Sequence, residues 1–185
     1  MAMTAQDIEN YLAELGQELQ NAGITQPIRI LMVGGAYMLT QFGNRATTKD
    51  IAVLLADIPD PSASPLYLPF QQAVRAVAAR HSLAASWIND VIGDALRNYG
   101  PTPTGSPWRV YGPLEVLVPE RAYILILALK LLAHRTQDEA DIRTLCQGLG
   151  IGTRDEARRI LDTYITDDTM KQLSDVDTAL DTLFP

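Results

Sequence analysis

The sequence predicts an α/β fold, with a small mixed sheet followed by a helical C-terminal part. Two short apolar runs, IRILMV (residues 28–33) and DIAVLL (residues 50–55), are typical of buried strands, and a short helical segment separates them. After Pro119 the apolar pattern is helical throughout. We therefore expect residues 1–118 to form the core and residues 119–185 to form a helical region packed on it, within one domain or as an appendage.

Each element before residue 101 is predicted from the spacing of its apolar residues and from the turn residues around it. The N-terminal helix repeats apolar residues at helical spacing, and a threonine precedes it as its cap. In chain order we expect a helix over residues 4–19 capped by Thr4, a turn at Gly34-Gly35, a short helix over AYMLTQF starting at Gly35, a helix over residues 66–83, and a shorter helical piece over SWINDVIGDALRNYG (residues 86–100).

Two further strands, WRVYG and LEVLVP, are predicted on either side of a turn at Gly112-Pro113. Pro119 then opens a helix over AYILILALKLLA, which is twelve residues long. Such a helix spans about 18 Å, well short of the roughly 30 Å of a bilayer core, so it is predicted to be buried in protein. Three later helix starts are expected at Thr136 with Glu139, at Thr153 with Glu156, and at Thr166.

Composition restricts the classes of function. The chain has 185 residues and a formal net charge of -7, which argues against a broad electrostatic surface for nucleic acid or anionic lipid. Its single cysteine, Cys146, excludes an internal disulfide and fits a reducing compartment. The N-terminus lacks the pattern of a signal peptide, and we expect a cytoplasmic protein without membrane contact.

The segment from Val33 to Leu55 contains the main candidates for a binding or catalytic site. A strand that runs into Gly-Gly and then a helix offers free backbone N–H groups and a positive dipole end to a phosphate. Asp50 begins the next strand, and alternate residues of a strand share a face. Carboxylates at positions 50 and 52 could therefore hold one Mg²⁺ or Mn²⁺ ion bridged to a nucleoside triphosphate, but position 52 is Ala52.

Each of these features also has a purely structural interpretation. Gly-Gly between a strand and a helix is often only a tight turn, and Arg45 and Lys49 could be solvated loop charges. Lys130 is the one charged residue within its apolar helix, and a buried ammonium needs a partner. It is predicted either to pair with Asp138 or Asp141 or to bind the triphosphate.

The Val33 to Leu55 segment resembles the polymerase-β-like nucleotidyltransferase superfamily. The motif of that superfamily is a hydrophobic residue, Gly-Gly or Gly-Ser, a spacer, and then Asp-hydrophobic-Asp-hydrophobic. Here the matching residues are Val33-Gly34-Gly35 and Asp50-Ile51-Ala52-Val53. GNRATTKD (residues 43–50) is similar to the Arg-x-Thr-x-Asp lead-in of small bacterial members.

A second segment, LILALKLLAHRTQDEADIRTL (residues 125–145), resembles a signature of bacterial nucleotidyltransferase-like proteins. These are related to the AbiEii-type toxins of type IV toxin–antitoxin systems. SWIND (residues 86–90) is similar to another recurring element of the group. The resemblance therefore covers about a third of the chain, in the expected order.

The resemblance implies a minimal nucleotidyltransferase core that transfers a nucleoside monophosphate from an NTP to an acceptor. It implies catalytic roles at Asp50, position 52, Lys130 and Asp141, with the cation held at positions 50 and 52. The implied nucleotide-binding residues are Gly34, Gly35, Arg45, Thr48, Lys49 and Asp138. A third carboxylate has two candidates, Glu115 and Asp90.

Ala52 departs from this pattern, because the family has an aspartate there. The chain is therefore expected to be inactive, either as a natural pseudoenzyme or through an introduced Asp-to-Ala replacement; the intact lead-in favours the replacement. The implied acceptor is a tRNA or a protein, with a cognate antitoxin as partner. Two alternatives remain open: a small-molecule nucleotidyltransferase of the antibiotic-modifying kind, and a non-catalytic module that binds a nucleotide or a partner.

Overall fold

A computed structural model describes residues 2–57, 64–91, 93, 104–132, 139–165 and 176–184 of the protein. These ranges contain helices and strands in a mixed order, which confirms the α/β prediction. The helices are α1 (Ala5–Asn21), α2 (Gly34–Gln41), α3 (Tyr67–His81), α4 (Arg121–Leu132), α5 (Glu139–Leu149), α6 (Arg154–Tyr164) and α7 (Val176–Leu183). The strands are β1 (Ile28–Val33), β2 (Ile51–Leu55), β3 (Ile88–Asn89), β4 (Ser106–Tyr111) and β5 (Leu114–Val118).

The five strands form one mixed sheet in the order β3-β2-β1-β5-β4. The central strand β1 pairs antiparallel with β2 and parallel with β5. β3 extends the sheet parallel to β2, and β4 folds back antiparallel on β5. The predicted adjacency of β1 and β2 is confirmed, as is the pair of strands around Gly112-Pro113.

Side chains alternate between the two faces of the sheet along each strand. Both faces are covered, each by its own core. Ile28, Ile30 and Met32 of β1 belong to a core shared with α1 and α3. Leu31 and Val33 belong to a second core, formed with α2 and with the helices that follow Pro119. The C-terminal helices therefore pack directly on one face of the sheet.

Two predicted helix starts are confirmed by their capping geometry. The Thr4 hydroxyl accepts a hydrogen bond from the backbone N–H of Asp7, whose carboxylate accepts the Thr4 backbone N–H in return. Thr153 and Glu156 make the same reciprocal pair at α6. Such capping boxes satisfy backbone donors that the first helical turn leaves unpaired. The predicted starts at Thr136 and Thr166 lie outside the described residues.

The prediction of a helix over residues 86–100 is wrong at Ile88–Asn89, which form β3. The backbone carbonyl of Trp87 accepts the N–H of Ile51 at 2.7 Å, so the segment is held extended along β2. The buried Trp87 indole also donates to the Val74 carbonyl at 3.0 Å. Pairing with a distant strand thus overrides the local helical pattern.

Boundaries of the other elements differ by one or two residues from the predicted ones; for example, α2 begins at Gly34, and β2 begins at Ile51. The apolar helix α4 is twelve residues long. Within the described ranges, no helix has both the length and the apolar character needed to cross a membrane.

An ion pair joins Asp57, just after the end of β2, to Arg29 near the start of β1. The Asp57 carboxylate accepts the backbone N–H of Arg29 at 2.7 Å and its Nε–H at 3.0 Å. Burial raises the pKa of Asp57, but the hydrogen bonds from Arg29 outweigh that effect, and the pKa lies below its ordinary value. The carboxylate therefore stabilises the fold in its charged form.

The Asp57→Asn variant tests this contribution. A lowered folded-state pKa gives stability that is present above the unfolded pKa, near 4, and is lost as the pH falls through the folded pKa. We expect the variant to lose about 1–3 kcal/mol of unfolding free energy at neutral pH, the scale for hydrogen bonds to charged groups. Urea unfolding at a series of pH values measures this, and the difference from the parent should shrink below about pH 4. The Arg29→Met variant should flatten the same acid dependence; unchanged acid dependence in both variants would contradict the assignment.

Candidate functional site

The candidate site is built where β1 ends and α2 begins. Val33, in extended conformation, precedes the helix, and no side chain caps its first turn. Gly34 has a φ of 63°, in the left-handed region that favours glycine. The turn therefore combines an uncapped helix N-terminus with a conformation that glycine adopts at little cost.

Side chains from the second strand and its lead-in lie against this turn. Ala52 is paired with Val33 across β1 and β2, and its Cβ lies 3.6 Å from where a Cβ on Gly34 would be. A Cβ on Gly35 would lie 2.9 Å from Oγ1 of Thr48 and 3.3 Å from Nη1 of Arg45. Four of the sequence-predicted positions, Gly34, Gly35, Thr48 and Ala52, are thus in contact range, with Arg45 at the rim.

Asp50 lies at the start of the same strand, and its side chain is exposed. Its Oδ2 accepts a hydrogen bond from Nδ2 of Asn89 at 3.0 Å. Its backbone carbonyl accepts the Thr48 hydroxyl at 3.1 Å, which ties the buried Thr48 to the strand start. Lys49, between them, is exposed.

Arg45 is engaged by a residue of the C-terminal helices. Its Nε donates to Oδ1 of Asp141 at 2.9 Å, and its Nη2 donates to Oδ2 of the same carboxylate. Asn44 donates to that carboxylate as well, at 2.9 Å. Asp141 is only 6% exposed, so this buried carboxylate joins α5 to the lead-in of β2.

Two predicted site residues, Arg45 and Asp141, therefore meet each other. The expected pairing of Lys130 with Asp138 or Asp141 stays a prediction, because the Lys130 side chain and Asp138 lie outside the described residues. The buried Cys146 lies on the same helix as Asp141, and burial raises the pKa of its thiol, which disfavours the nucleophilic thiolate.

Of the two candidates for a third carboxylate, Glu115 lies away from Asp50 and Ala52. Glu115 is paired with Arg29, four residues before Val33 along β1, which is a separation of about 13 Å. Asp90 follows β3 and packs its carboxylate against Gly93.

Asp90 also lines a cavity of about 340 Å³ whose walls include Val53, Leu55 and Phe70. These three belong to the core shared with α1 and α3, and Asn89, the residue opposite Ala52, also lines the cavity. The residue of β3 that reaches Asp50 is Asn89, which lies within the SWIND segment but was not a predicted site residue.

The donor set at positions 50 and 52 does not fit a magnesium site in this chain. Mg²⁺ prefers oxygen ligands, and Ala52 supplies none. Among the described residues there is no cluster of three His, Cys, Asp or Glu side chains that could hold a metal ion. A carboxylate at position 52 would add the second oxygen ligand on the face that Asp50 shares.

Comparison with protein-family models, with curated proteins and with solved structures gave no match for this chain.

The Arg45–Asp141 pair can be tested by truncating its buried partner. Asp141→Ala removes the acceptor of three hydrogen bonds and leaves the guanidinium beside Gly35 without that carboxylate. We expect a loss of about 2–4 kcal/mol in unfolding free energy, below the largest values for buried pairs because the Arg45 side chain keeps 27% exposure.

Chemical denaturation measures this loss, with Glu139→Ala as the matched control on the same helix. Glu139 makes an exposed pair with Arg143 one turn away, so its removal should cost no more than about 0.5 kcal/mol. Equal losses for the two variants would contradict a special role for the Arg45–Asp141 pair.

Proposed function

We propose that the chain carries the site of a nucleotidyltransferase, and that Ala52 leaves this chain unable to transfer a nucleotide. The main support is that two parts of the chain lie close together. They are the Gly34-Gly35 turn, with the helix N-terminus behind it, and positions 50 and 52 of the neighbouring strand. A polyphosphate site beside a carboxylate pair needs this juxtaposition.

The turn would bind the phosphates of an NTP. Backbone N–H groups at an uncapped helix N-terminus attract anions, and the missing Cβ atoms let a phosphate approach the main chain. The Arg45 guanidinium adds positive charge at the rim of the turn. The pairing with Asp141 fixes the orientation of the guanidinium and offsets its positive charge. We therefore assign Arg45 to positioning the triphosphate.

With aspartate at position 52, the two carboxylates would hold Mg²⁺ or Mn²⁺, which neutralises charge on the transferred phosphate. In the chain as it stands, Asp50 alone remains. Its bond to Asn89 keeps the carboxylate at the start of β2, on the side of the strand that carries Ala52.

We assign the acceptor to a tRNA or a protein, in the manner of a toxin with a cognate antitoxin, in the cytoplasm. The net charge of -7 slightly favours a protein or a small molecule over RNA. A small-molecule acceptor of the antibiotic kind would use the same site chemistry. The acceptor is therefore identified by finding which molecule becomes labelled in a transfer assay.

A second candidate function is a non-catalytic module that binds a nucleotide. It is favoured by the methyl group at position 52 and by the pairing of Asp50 with an amide rather than with a second acid. Such a module would bind an NTP at the Gly34-Gly35 turn without a metal ion and release it unchanged.

The Ala52→Asp variant distinguishes the two functions. Without metal, the added carboxylate lies near Asp50, so the variant should be slightly less stable than the parent. With Mg²⁺ and an NTP the order should reverse, by about 2.7 kcal/mol at a ligand concentration one hundred times Kd. Thermal melts of both chains, with and without Mg²⁺–NTP, measure this crossover.

Ala52→Asn is the matched control, because it has the same size as aspartate but no charge. It should show no crossover. Labelled transfer to a component of a cell extract, assayed with each NTP, should appear only with aspartate at position 52. If the aspartate variant gains neither metal-dependent stability nor transfer, while an NTP alone stabilises the parent, the binding module replaces the enzyme.

A further inference from the structure

The cavity of about 340 Å³ is lined by β2, by the first turns of α3 and by the segment around β3. β3 has only two residues, which pair with Ile51 and Ala52, so it does not run beside the rest of β2. Val53 and Leu55 lie beyond this pairing and line the cavity together with Phe70 of α3. We call this space the β2–α3 cavity. Its volume is within the range of small-molecule binding sites.

The β2–α3 cavity has an apolar inner wall and an exposed apolar residue beside it. Val53, Leu55 and Phe70 are buried and form the inner wall. Val91, which lines the same space, keeps 76% of its surface exposed. A ligand with an apolar body would cover that side chain, and burial of apolar surface favours binding.

The charge around the cavity is negative. Among the described residues that line it, Asp90 is the only charged one. A second carboxylate, that of Asp50, accepts a hydrogen bond at 3.0 Å from Asn89, which itself lines the cavity. The chain as a whole has a net charge of -7. The cavity therefore favours a cation and disfavours an anion such as a phosphate.

Two aromatic rings also line the cavity. They belong to Tyr67 and Phe70, which are three residues apart on α3 and so lie on one face of that helix. Aromatic faces attract ammonium groups and pack well against other rings. Gln71 and Ser86 add an amide and a hydroxyl, which can form hydrogen bonds with a polar group of a ligand.

We propose that the β2–α3 cavity is a binding site for a small organic cation, in which an ammonium group is carried on an apolar ring. The ring packs against Phe70 and Val91, and the ammonium group lies on the side of Asp90. The ligand requires neither a metal ion nor the Gly34-Gly35 turn. The inference therefore does not depend on the proposed function, and either can fail without the other.

Three probes of nearly equal size test the charge preference on the chain with Ala52. At neutral pH phenethylamine is a cation, 2-phenylethanol is neutral and phenylacetate is an anion. Binding is followed in ¹H–¹⁵N NMR spectra through the side-chain amides of Gln71 and Asn89, which both line the cavity.

Phenethylamine should shift both amide resonances saturably, with a Kd of about 10 mM or lower, the scale for a ligand of this size. It should bind at least about fivefold more tightly than phenylacetate, because the carboxylates attract one probe and repel the other. Equal or tighter binding of phenylacetate would overturn the proposal, as would the absence of saturable shifts with the amine.

Blocking variants test the location of the ligand. Gln71→Trp and Ser86→Trp each add a large side chain to the lining of the cavity, one from α3 and one from the segment before β3. Each should abolish the saturable shift of the Asn89 amide. Gln72→Trp is the matched control, because Gln72 is the next residue of α3, is exposed and is not part of the lining.

Melting temperatures show which of these variants are folded, and two blocking variants are used so that one suffices if the other fails to fold. Unchanged binding in a folded blocking variant would overturn the proposal. An equal loss of binding in Gln72→Trp would overturn it as well.

The Asp90→Asn variant tests the role of the charge, since asparagine keeps the size of the side chain. It should weaken the binding of phenethylamine by about fivefold, the scale for a partly exposed ion pair. The binding of 2-phenylethanol should stay within about twofold of that in the parent. Equal effects on the two probes would overturn the assignment of the cavity to a cation.

Discussion

The antiparallel pairing of β1 with β2 is the constraint on which the rest of the site depends. Its register sets Val33 opposite Ala52, so the Gly34-Gly35 turn and the start of β2 lie at the same end of the sheet. A shift by one residue would turn Ala52 and Asp50 to the opposite face, into the core with α1 and α3. The apolar residues Ile51, Val53 and Leu55 oppose such a shift, because they would leave that core. Packing energy therefore maintains the geometry of the site.

The lead-in of β2 is held from two directions. On one side, Thr48 exchanges two backbone hydrogen bonds with Met3, whose side chain is fully buried in the core with α1. On the other side, Arg45 and Asn44 bind the buried Asp141 of α5. A loop fixed at both ends presents Thr48 and Asp50 with little conformational freedom. The helix α5 thus contributes to the site through the carboxylate of Asp141.

Local patterns in the sequence were enough to predict the strand pair, the glycine turn and the helix starts at Thr4 and Thr153, because each depends on residues close in the chain. Contacts between distant residues were not predictable in the same way. The strand at Ile88–Asn89 has only two residues and lies in a helix-like pattern, and its pairing partner is some 37 positions earlier. The hydrogen bond between Arg45 and Asp141 joins residues 96 positions apart, and no local pattern predicts it. Glu115 was a candidate because it lies on a strand, yet strand identity alone does not say at which end of the sheet a residue lies.

The environment of position 52 explains why alanine there suits the fold. Ala52 is partly buried and packs against the core formed with the C-terminal helices. A carboxylate at this position would lose part of its hydration and would lie on the same face as Asp50, and both effects disfavour its charged form. A bound cation would offset them, so under the proposed function aspartate at position 52 would be a group retained at a cost in stability. Alanine avoids this cost, and under the proposed function it also removes the second oxygen ligand of the cation. In the chain as it stands, Asp50 keeps its hydrogen bond to Asn89, and no side chain caps the helix that begins at Gly34.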